Sequence, residues 1–349
     1  MMAGEEERLD LAALEAELAA NIPGFGRIRE LKKFGTGQSN PTYRLETDRG
    51  TYVLRAKPPG ELLKSAHQVD REFRVMRALR DTRVPVPVMH YLSGDTSSLG
   101  RMFFVMEHLD GRIFWDPALP ELTNAERAAI YAAMTDALAD LHAVDVMAAG
   151  LSDYGRPGNY FERQYRRWSE QYRASALEPN ADMEHLIDWL GENLPADDGQ
   201  VSLVHGDWRM DNMIFAKDSA DILGVLDWEL STLGHPLADL SYQCMQLRLP
   251  HESGFRGLGG IDRQALGIPD EKSLIDAYCA RRGIERIEAW PFYIAFAYFR
   301  LAAILQGVVK RAADGNASNP ERAREFARAV PLIAAEAIRT IEAGSANGA

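Results

Sequence analysis

The sequence predicts an α+β fold of two lobes, a small antiparallel-sheet N-lobe and a larger, mainly helical C-lobe. Three observations lead there. Alternating apolar positions, the mark of half-buried strands, are concentrated before Gly111. Helical periodicity dominates after it. The 349 residues also exceed what one core usually holds. The division expected is 1–106 for the sheet lobe, 107–111 for a hinge and 112–349 for the helical lobe.

An acidic helix over Leu11 to Ala20 is expected first, leading through Leu31-Lys32-Lys33 to a glycine-containing turn, Phe34-Gly35-Thr36-Gly37-Gln38-Ser39-Asn40. Alternation over Thr42 to Thr47 and Thr51 to Lys57, around Asp48-Arg49-Gly50, is a hairpin signature. Val69, Phe73, Met76 and Leu79 recur at helical spacing and place a helix over Ala66 to Arg80. A strand follows at Met102 to Met106, ending in Glu107-His108-Leu109-Asp110-Gly111. Beyond it, Thr123 and Glu126 form a capping box ahead of Ile130, Met134, Leu138 and Leu141. Further helices are expected around Tyr160 to Arg173 and through Ile187, Leu190 and Leu194. One short β patch lies between Val201 and Leu226, with only helices after it.

Composition narrows the function classes. A net charge of −12 speaks against nucleic acid as a partner, because phosphate backbones call for a basic face. The acid excess sits in the first two-thirds, and from Ser241 onward acids and bases roughly balance. Trp290 to Val309 is the longest apolar stretch, but Arg300 and Gln306 interrupt it, so a buried helix is expected and no membrane partner. The acidic opening MMAGEEERLD is unlike a secretory signal. Two cysteines, Cys244 and Cys279, make neither a disulfide framework nor a metal site, which fits a cytoplasmic setting. The oligomeric state is not legible.

The chemistry concentrates in Leu203-Val204-His205-Gly206-Asp207-Trp208-Arg209-Met210-Asp211-Asn212 and in Asp227, with Met213–Phe215, a polar turn and Ile222–Leu226 between them. An antiparallel hairpin turning at Ser219-Ala220 sets Asn212 and Asp227 at its open end, one tight loop from Asp207. Three oxygen-bearing side chains converging there suit Mg²⁺, which takes hard oxygen donors together with substrate phosphates. One carboxylate to position an attacking hydroxyl and two side chains to hold metal is the logic of phosphoryl transfer from ATP. Glu72 shares the helix face of the apolar residues, where a carboxylate needs a cation; Arg55 and Lys57 share one strand face and are both candidates. The turn Gly35, Gly37, Gln38, Ser39, Asn40 is placed to lay N–H groups over phosphates. No Gly-x-x-x-x-Gly-Lys-[Ser/Thr] loop occurs, and Gly257-Leu258-Gly259-Gly260 lacks a strand-turn-helix setting.

On these residues the chain resembles the aminoglycoside phosphotransferase and choline kinase-like family, from about Leu31 to at least Tyr242. His205-Gly206-Asp207 with Asn212, Asp227-Trp228-Glu229 and Leu233-Gly234-His235-Pro236-Leu237-Ala238-Asp239-Leu240 carry the likeness. The resemblance implies a protein-kinase-like two-lobe fold and an ATP- and Mg²⁺-dependent phosphotransferase acting on a small-molecule hydroxyl. It implies Asp207 as the base or orienting acid and Asn212 and Asp227 as metal ligands. It further implies Arg55, paired to Glu72, on the phosphates, and Glu107, His108 and Leu109 as the adenine hinge. Asp239 and His142 would be structural. Arg55 stands where protein kinases usually have lysine, and Asn40 where they have a third glycine.

Lys57-Pro58-Pro59-Gly60 and Gly155 to Gln164 look like the phosphotransferase domains fused ahead of some acyl-CoA dehydrogenases, although these 349 residues leave no room for a dehydrogenase as well. Trp290, Phe292, Tyr293, Phe296, Tyr298 and Phe299 with Arg300 form either core or an apolar pocket ending in a cation. The pocket reading suits a hydroxy acid or hydroxyacyl-CoA acceptor. The competing classes are an aminoglycoside- or choline-type kinase and a catalytically silent ATP-binding module.

Overall fold

The computed structural model describes residues 9–35, 40–59, 68–251, 257–315 and 320–346. In chain order the elements are α1 (Leu11–Asn21), β1 (Ile28–Lys33), β2 (Thr42–Thr47), β3 (Thr51–Ala56), α2 (Val69–Leu79), β4 (Met89–Leu92) and β5 (Phe103–Glu107). Then come α3 (Asn124–His142), α4 (Tyr160–Ser175), α5 (Ala181–Glu192), β6 (Ser202–Val204), β7 (Met213–Phe215), β8 (Ile222–Val225) and β9 (Thr232–Gly234). The chain closes with α6 (Leu237–Gln246), α7 (Glu271–Arg282), α8 (Trp290–Ala313) and α9 (Pro320–Ala346). It divides into two compact units, Met1–Gly111 with Leu223–Glu229, and Arg112–Ile222 with Leu230–Ala349. The expected division is thereby revised: residues 107–111 cluster with the first unit, and Leu223–Glu229 join it from far along the chain.

In the first unit five antiparallel strands run in the order β1-β2-β3-β5-β4. Strand alternation sorts their side chains onto two faces. Tyr43, Leu45, Leu54, Ala56, Phe103 and Val105 lie on one, buried with Leu14 and Leu18 of α1 and Ile22 just after it. Each such side chain contributes about 1.5–3 kcal/mol when fully buried. The other face carries Val53, Arg55, Phe104 and Met106, paired across the strands as Val53 with Met106 and Arg55 with Phe104. Helix α2 lends its apolar side, with Phe73 and Phe104 rings 6.3 Å apart. Glu72 is buried on α2 beside Phe73. Gly224 lies close to Leu109, where a Cβ would sit 2.4 Å from the leucine Cδ1.

The second unit is helical apart from its short strands. The capping box closes as read: Thr123 accepts from the Glu126 N–H, and the Glu126 side chain accepts from Thr123 N–H. Strand β6 pairs antiparallel with β9, from Ser202 with Gly234 to Val204 with Thr232. That strand corrects the expectation of helices alone beyond Leu226. It is three residues long, and its partner is remote in sequence, so no local pattern marks it. β7, a turn closed by the Ala216 N–H donating to the Asp221 carbonyl, and β8 have the strand-turn-strand form expected. Helix α8 is long and apolar enough to cross a membrane by length and composition, and most of it is buried within the protein.

The aromatic stretch on α8 is core. Phe292, Tyr293, Phe296, Tyr298 and Phe299 are all buried. Phe161 of α4 packs against Phe292, Tyr293 and Phe296 with ring centroids 5.0–5.6 Å apart.

Candidate active site

Arg55 is the centre of the first unit's polar cluster. Its Nε lies 3.0 Å from Glu72 Oε2 and its second amino nitrogen 2.7 Å from Asp227 Oδ1, with Glu229 at 3.9 Å. Asn40 donates its side-chain N–H to Glu72 Oε1 at 3.0 Å. Burial pushes the Glu72 carboxyl up to about 7; Arg55 opposes this, and the Asp227 and Glu229 carboxylates add to it. Burial alone would lower Arg55, but Glu72, Asp227 and Glu229 outweigh it and hold the guanidinium above its ordinary value. Asp227 adopts a left-handed backbone, φ +65°, sparsely populated for any residue but glycine and better tolerated by aspartate than by most.

Between the two strand cations the structure decides for Arg55. Strand β3 ends at Ala56, so Lys57 lies beyond the alternation that placed both on one face. Lys57 pairs instead with the exposed Asp95 at 3.6 Å.

Asp207 anchors the second unit's cluster. Gly206 precedes it at φ +85°, and a Cβ there would meet the Leu230 carbonyl oxygen at 2.7 Å, so the loop requires glycine. Asp239, fully buried at the start of α6, accepts the backbone N–H groups of His205 at 2.6 Å and Gly206 at 2.8 Å. His142 lies against Asp239 at 3.4 Å and Tyr278 at 2.7 Å. Asp239 thus braces the loop, with His142 behind it.

The Asp207 carboxylate is held from three sides. Tyr242 donates its hydroxyl to Oδ1 at 2.8 Å, and Arg209 Nε lies 3.1 Å from the same oxygen. Asn212 donates to Oδ2 at 3.0 Å and to the Asp207 carbonyl at 2.9 Å. Both Asn212 donations come from its amide nitrogen, so its side-chain oxygen is left as an acceptor. Burial works to raise Asp207, but Arg209, Tyr242, His205 and Asn212 together hold it below the usual carboxylate range.

Asp207 and Asn212 are therefore brought together, as are Arg55, Glu72, Asn40 and Asp227. Glu107 ends β5, where its carboxylate accepts the Val88 N–H at 3.1 Å and its own N–H donates to the Val88 carbonyl. His108 and Leu109 follow it, both partly buried. Gly35 is exposed, and Gly37, Gln38 and Ser39 lie outside the described residues. Sequence reasoning missed Tyr242, although its signal was present: three residues after Asp239 on one helix, it shares that residue's face. Arg209 reaches Asp207 and, at 3.3 Å, Asp211. Glu229 was noted only as part of a motif. A cavity of about 240 Å³ in the second unit, lined by Tyr160, Asp198, His235 and Tyr293 among others, includes neither Asp207 nor Tyr242.

Residues 30–285 match the model of the phosphotransferase enzyme family. Acyl-CoA dehydrogenase family member 10 of Mus musculus is 47% identical over 291 residues, 83% of this chain and 27% of that protein. Family member 11 of Homo sapiens is 42% identical over 321 residues, 90% of this chain and 41% of that protein. The chain thus spans well under half the length of these curated relatives. A crystal structure from Ralstonia eutropha, provisionally assigned as an aminoglycoside phosphotransferase, superposes with TM-score 0.84 at 45% identity, covering 95% of this chain and 99% of that one. Aminoglycoside 2'-phosphotransferase-IIIa, solved with GDP, shares the fold at TM-score 0.64 and 13% identity, covering 93% of this chain and 99% of that one.

Proposed function

Because the chain belongs to the phosphotransferase enzyme family, we propose that it moves the γ-phosphate of ATP onto the hydroxyl of a small molecule, with Asp207 as the orienting acid. What supports this most is the Asp207 carboxylate, whose direction is fixed by hydrogen bonds from Tyr242 and Asn212 and by the Arg209 ion pair, which also keep it below the usual carboxylate range. In the reaction the acceptor oxygen forms a bond to the γ-phosphorus, the bond to the bridging oxygen of ADP breaks, and the hydroxyl proton passes to Asp207. Asn212 and Asp227 supply hard oxygen donors fit for Mg²⁺, whose contribution when bound is to neutralise the triphosphate. Among the described residues no three His, Cys, Asp or Glu side chains gather into a closed metal cage. Mg²⁺ takes substrate phosphate oxygens alongside such donors. Arg55, oriented by Glu72, is assigned to the α- and β-phosphates, and the backbone of Glu107 to Leu109 to adenine.

The acceptor we propose is a hydroxy acid or its coenzyme A thioester. Two things support that choice: the near-balanced charge beyond Ser241, where a cationic antibiotic would call for acidity, and the names of the curated relatives. Mg²⁺-dependent ATP consumption is to be measured against hydroxy acids, 4-hydroxyacyl-CoA thioesters, choline-like alcohols and aminoglycosides, with Asp207→Ala as control. Turnover confined to the first two classes and lost in the variant is the expected outcome. Turnover on aminoglycosides alone would overturn the acceptor, and nucleotide binding without turnover on any acceptor would overturn the enzyme reading.

A further inference from the structure

Arg300 lies in the middle of α8 at 7% exposure. Arg127, equally buried at 7%, shows how such a cation is ordinarily accommodated: its guanidinium donates to the carbonyls of Ala118, Leu119, Pro120 and Leu266 and to Asn124 Oδ1. Arg300 has nothing comparable. Among the described residues no acid and no hydrogen-bond acceptor partners it. Its one aromatic contact is the Trp168 ring, whose centroid is 6.0 Å from the guanidinium carbon, the outer limit of a useful cation–π distance. A buried charge without a partner is strongly unfavourable, and a weak cation–π contact does not offset it.

The guanidinium is nevertheless not sealed in. Arg263 and Arg282 each have a nitrogen closed off from solvent without a hydrogen-bond partner, whereas none of the Arg300 nitrogens is so closed. A buried but reachable, unpaired guanidinium is a site awaiting an anion. Tyr293, Phe296 and Arg300 share one α8 face; Tyr293 also lines the 240 Å³ cavity, whose lining includes Glu162, Asp197 and Asp198 but not Arg300. The Arg300 charge also acts on the hydroxyls of Tyr160, another cavity residue, and of Tyr242, which holds Asp207, in each case against the effect of burial.

We propose that Arg300 is the anion anchor of the acceptor site, taking a carboxylate or phosphate carried by the molecule whose hydroxyl is phosphorylated. This rests on the phosphotransferase reading above. It goes beyond that reading in assigning a specificity-determining residue and in requiring an acidic group on the acceptor. The guanidinium suits either group, since its planar fork donates two parallel hydrogen bonds to carboxylate or phosphate oxygens.

The test needs no known acceptor. Thermal unfolding of the whole chain is followed with a non-hydrolysable ATP analogue and Mg²⁺ saturating, while inorganic phosphate or glutarate is titrated. The wild type is expected to gain stability with one or both anions, Arg300→Gln with neither, and Arg300→Lys to an intermediate degree. Which anion acts separates a phosphate from a carboxylate source. Without anion, Arg300→Gln is expected to melt no lower than the wild type, because it removes an uncompensated charge. A lower melting point without anion, or an unaltered anion response, would overturn the proposal. Where a hydroxy acid is turned over, Arg300→Gln should lower kcat/KM for the acid by on the order of tenfold to a hundredfold more than for its methyl ester. Equal losses on acid and ester would also overturn it. Absence of turnover on every acceptor would instead count against the phosphotransferase reading, and the anion titration would still decide Arg300.

Discussion

Tyr242 and Arg209 converge on the same oxygen of Asp207, and the two contacts differ in kind. The arginine is partly exposed and screened by solvent, whereas Tyr242 is buried, its own ionisation pushed up by burial and by the adjacent carboxylate. Tyr242→Phe therefore removes the firmer support and leaves the ring in place. The expected result is a fall in kcat of about tenfold, the scale of one hydrogen bond to a charged group. Because that hydrogen bond helps to depress the Asp207 pKa, its loss moves the acid limb of the pH–rate profile to higher pH. A profile that falls in height without moving would show that the hydroxyl does not hold Asp207 ionised. At this scale the sequence was legible wherever a residue's own spacing spoke: Asp207 and Asn212 are in contact as one loop's spacing suggested, and Glu72 stood out as a carboxylate on an apolar face. Alternation could not choose between Arg55 and Lys57, because positions two apart share a face until the strand stops, and Pro58-Pro59 marks that stop only to within a residue or two.

Among the elements, the start of α6 and the loop after β6 form one device. Asp239 satisfies two backbone N–H groups of that loop, and removing it orphans both in a buried place, about 1–3 kcal/mol each. Asp239→Ala should lower the free energy of unfolding by about 2–6 kcal/mol and bring turnover near background, with the denaturation midpoint and ATP consumption as readouts. The pH dependence has a definite sign. Burial alone would raise Asp239, yet His142, His205 and the loop N–H groups hold it below its ordinary value. Its stabilisation is thus complete above the unfolded aspartate value, about 3.9, and is lost as pH falls through the lower folded value. An acid-denaturation midpoint unchanged in the variant would contradict this. Elements with local signatures were readable, such as the hairpin around Asp48-Arg49-Gly50 and the Thr123 cap. β4 and β9, four and three residues long, were not: both are too short for alternation to show, and β9 pairs with β6, remote in sequence.

For the molecule as a whole, ligand linkage offers the broadest check. Anything bound by the native state alone stabilises it by mass action, so ATP with Mg²⁺ at about a hundred times its Kd should add about 2.7 kcal/mol. On the proposed roles, Asp227→Asn should lose the part of that gain that depends on Mg²⁺ and keep the part given by ATP alone. Calorimetry with and without EDTA separates the two, and an undiminished Mg²⁺ effect in the variant would remove Asp227 from the metal site. Two units were predictable from length and from the change of periodicity. The return of Leu223–Glu229 to the first unit was not, because a strand of four residues carries no address in its own pattern.

That return has a consequence for how the protein is born. The first unit takes Asp227 and Glu229 as counter-charges for Arg55, and the Val225 N–H as the donor to the Pro85 carbonyl. These residues leave the ribosome more than a hundred positions after Gly111. At synthesis rates of about 5–20 residues per second, the first unit waits on the order of ten seconds for its last segment and its missing carboxylates. Although it is first in the sequence, it is not first to be finished, and a nascent chain stalled at residue 111 would present Arg55 without two of its acids.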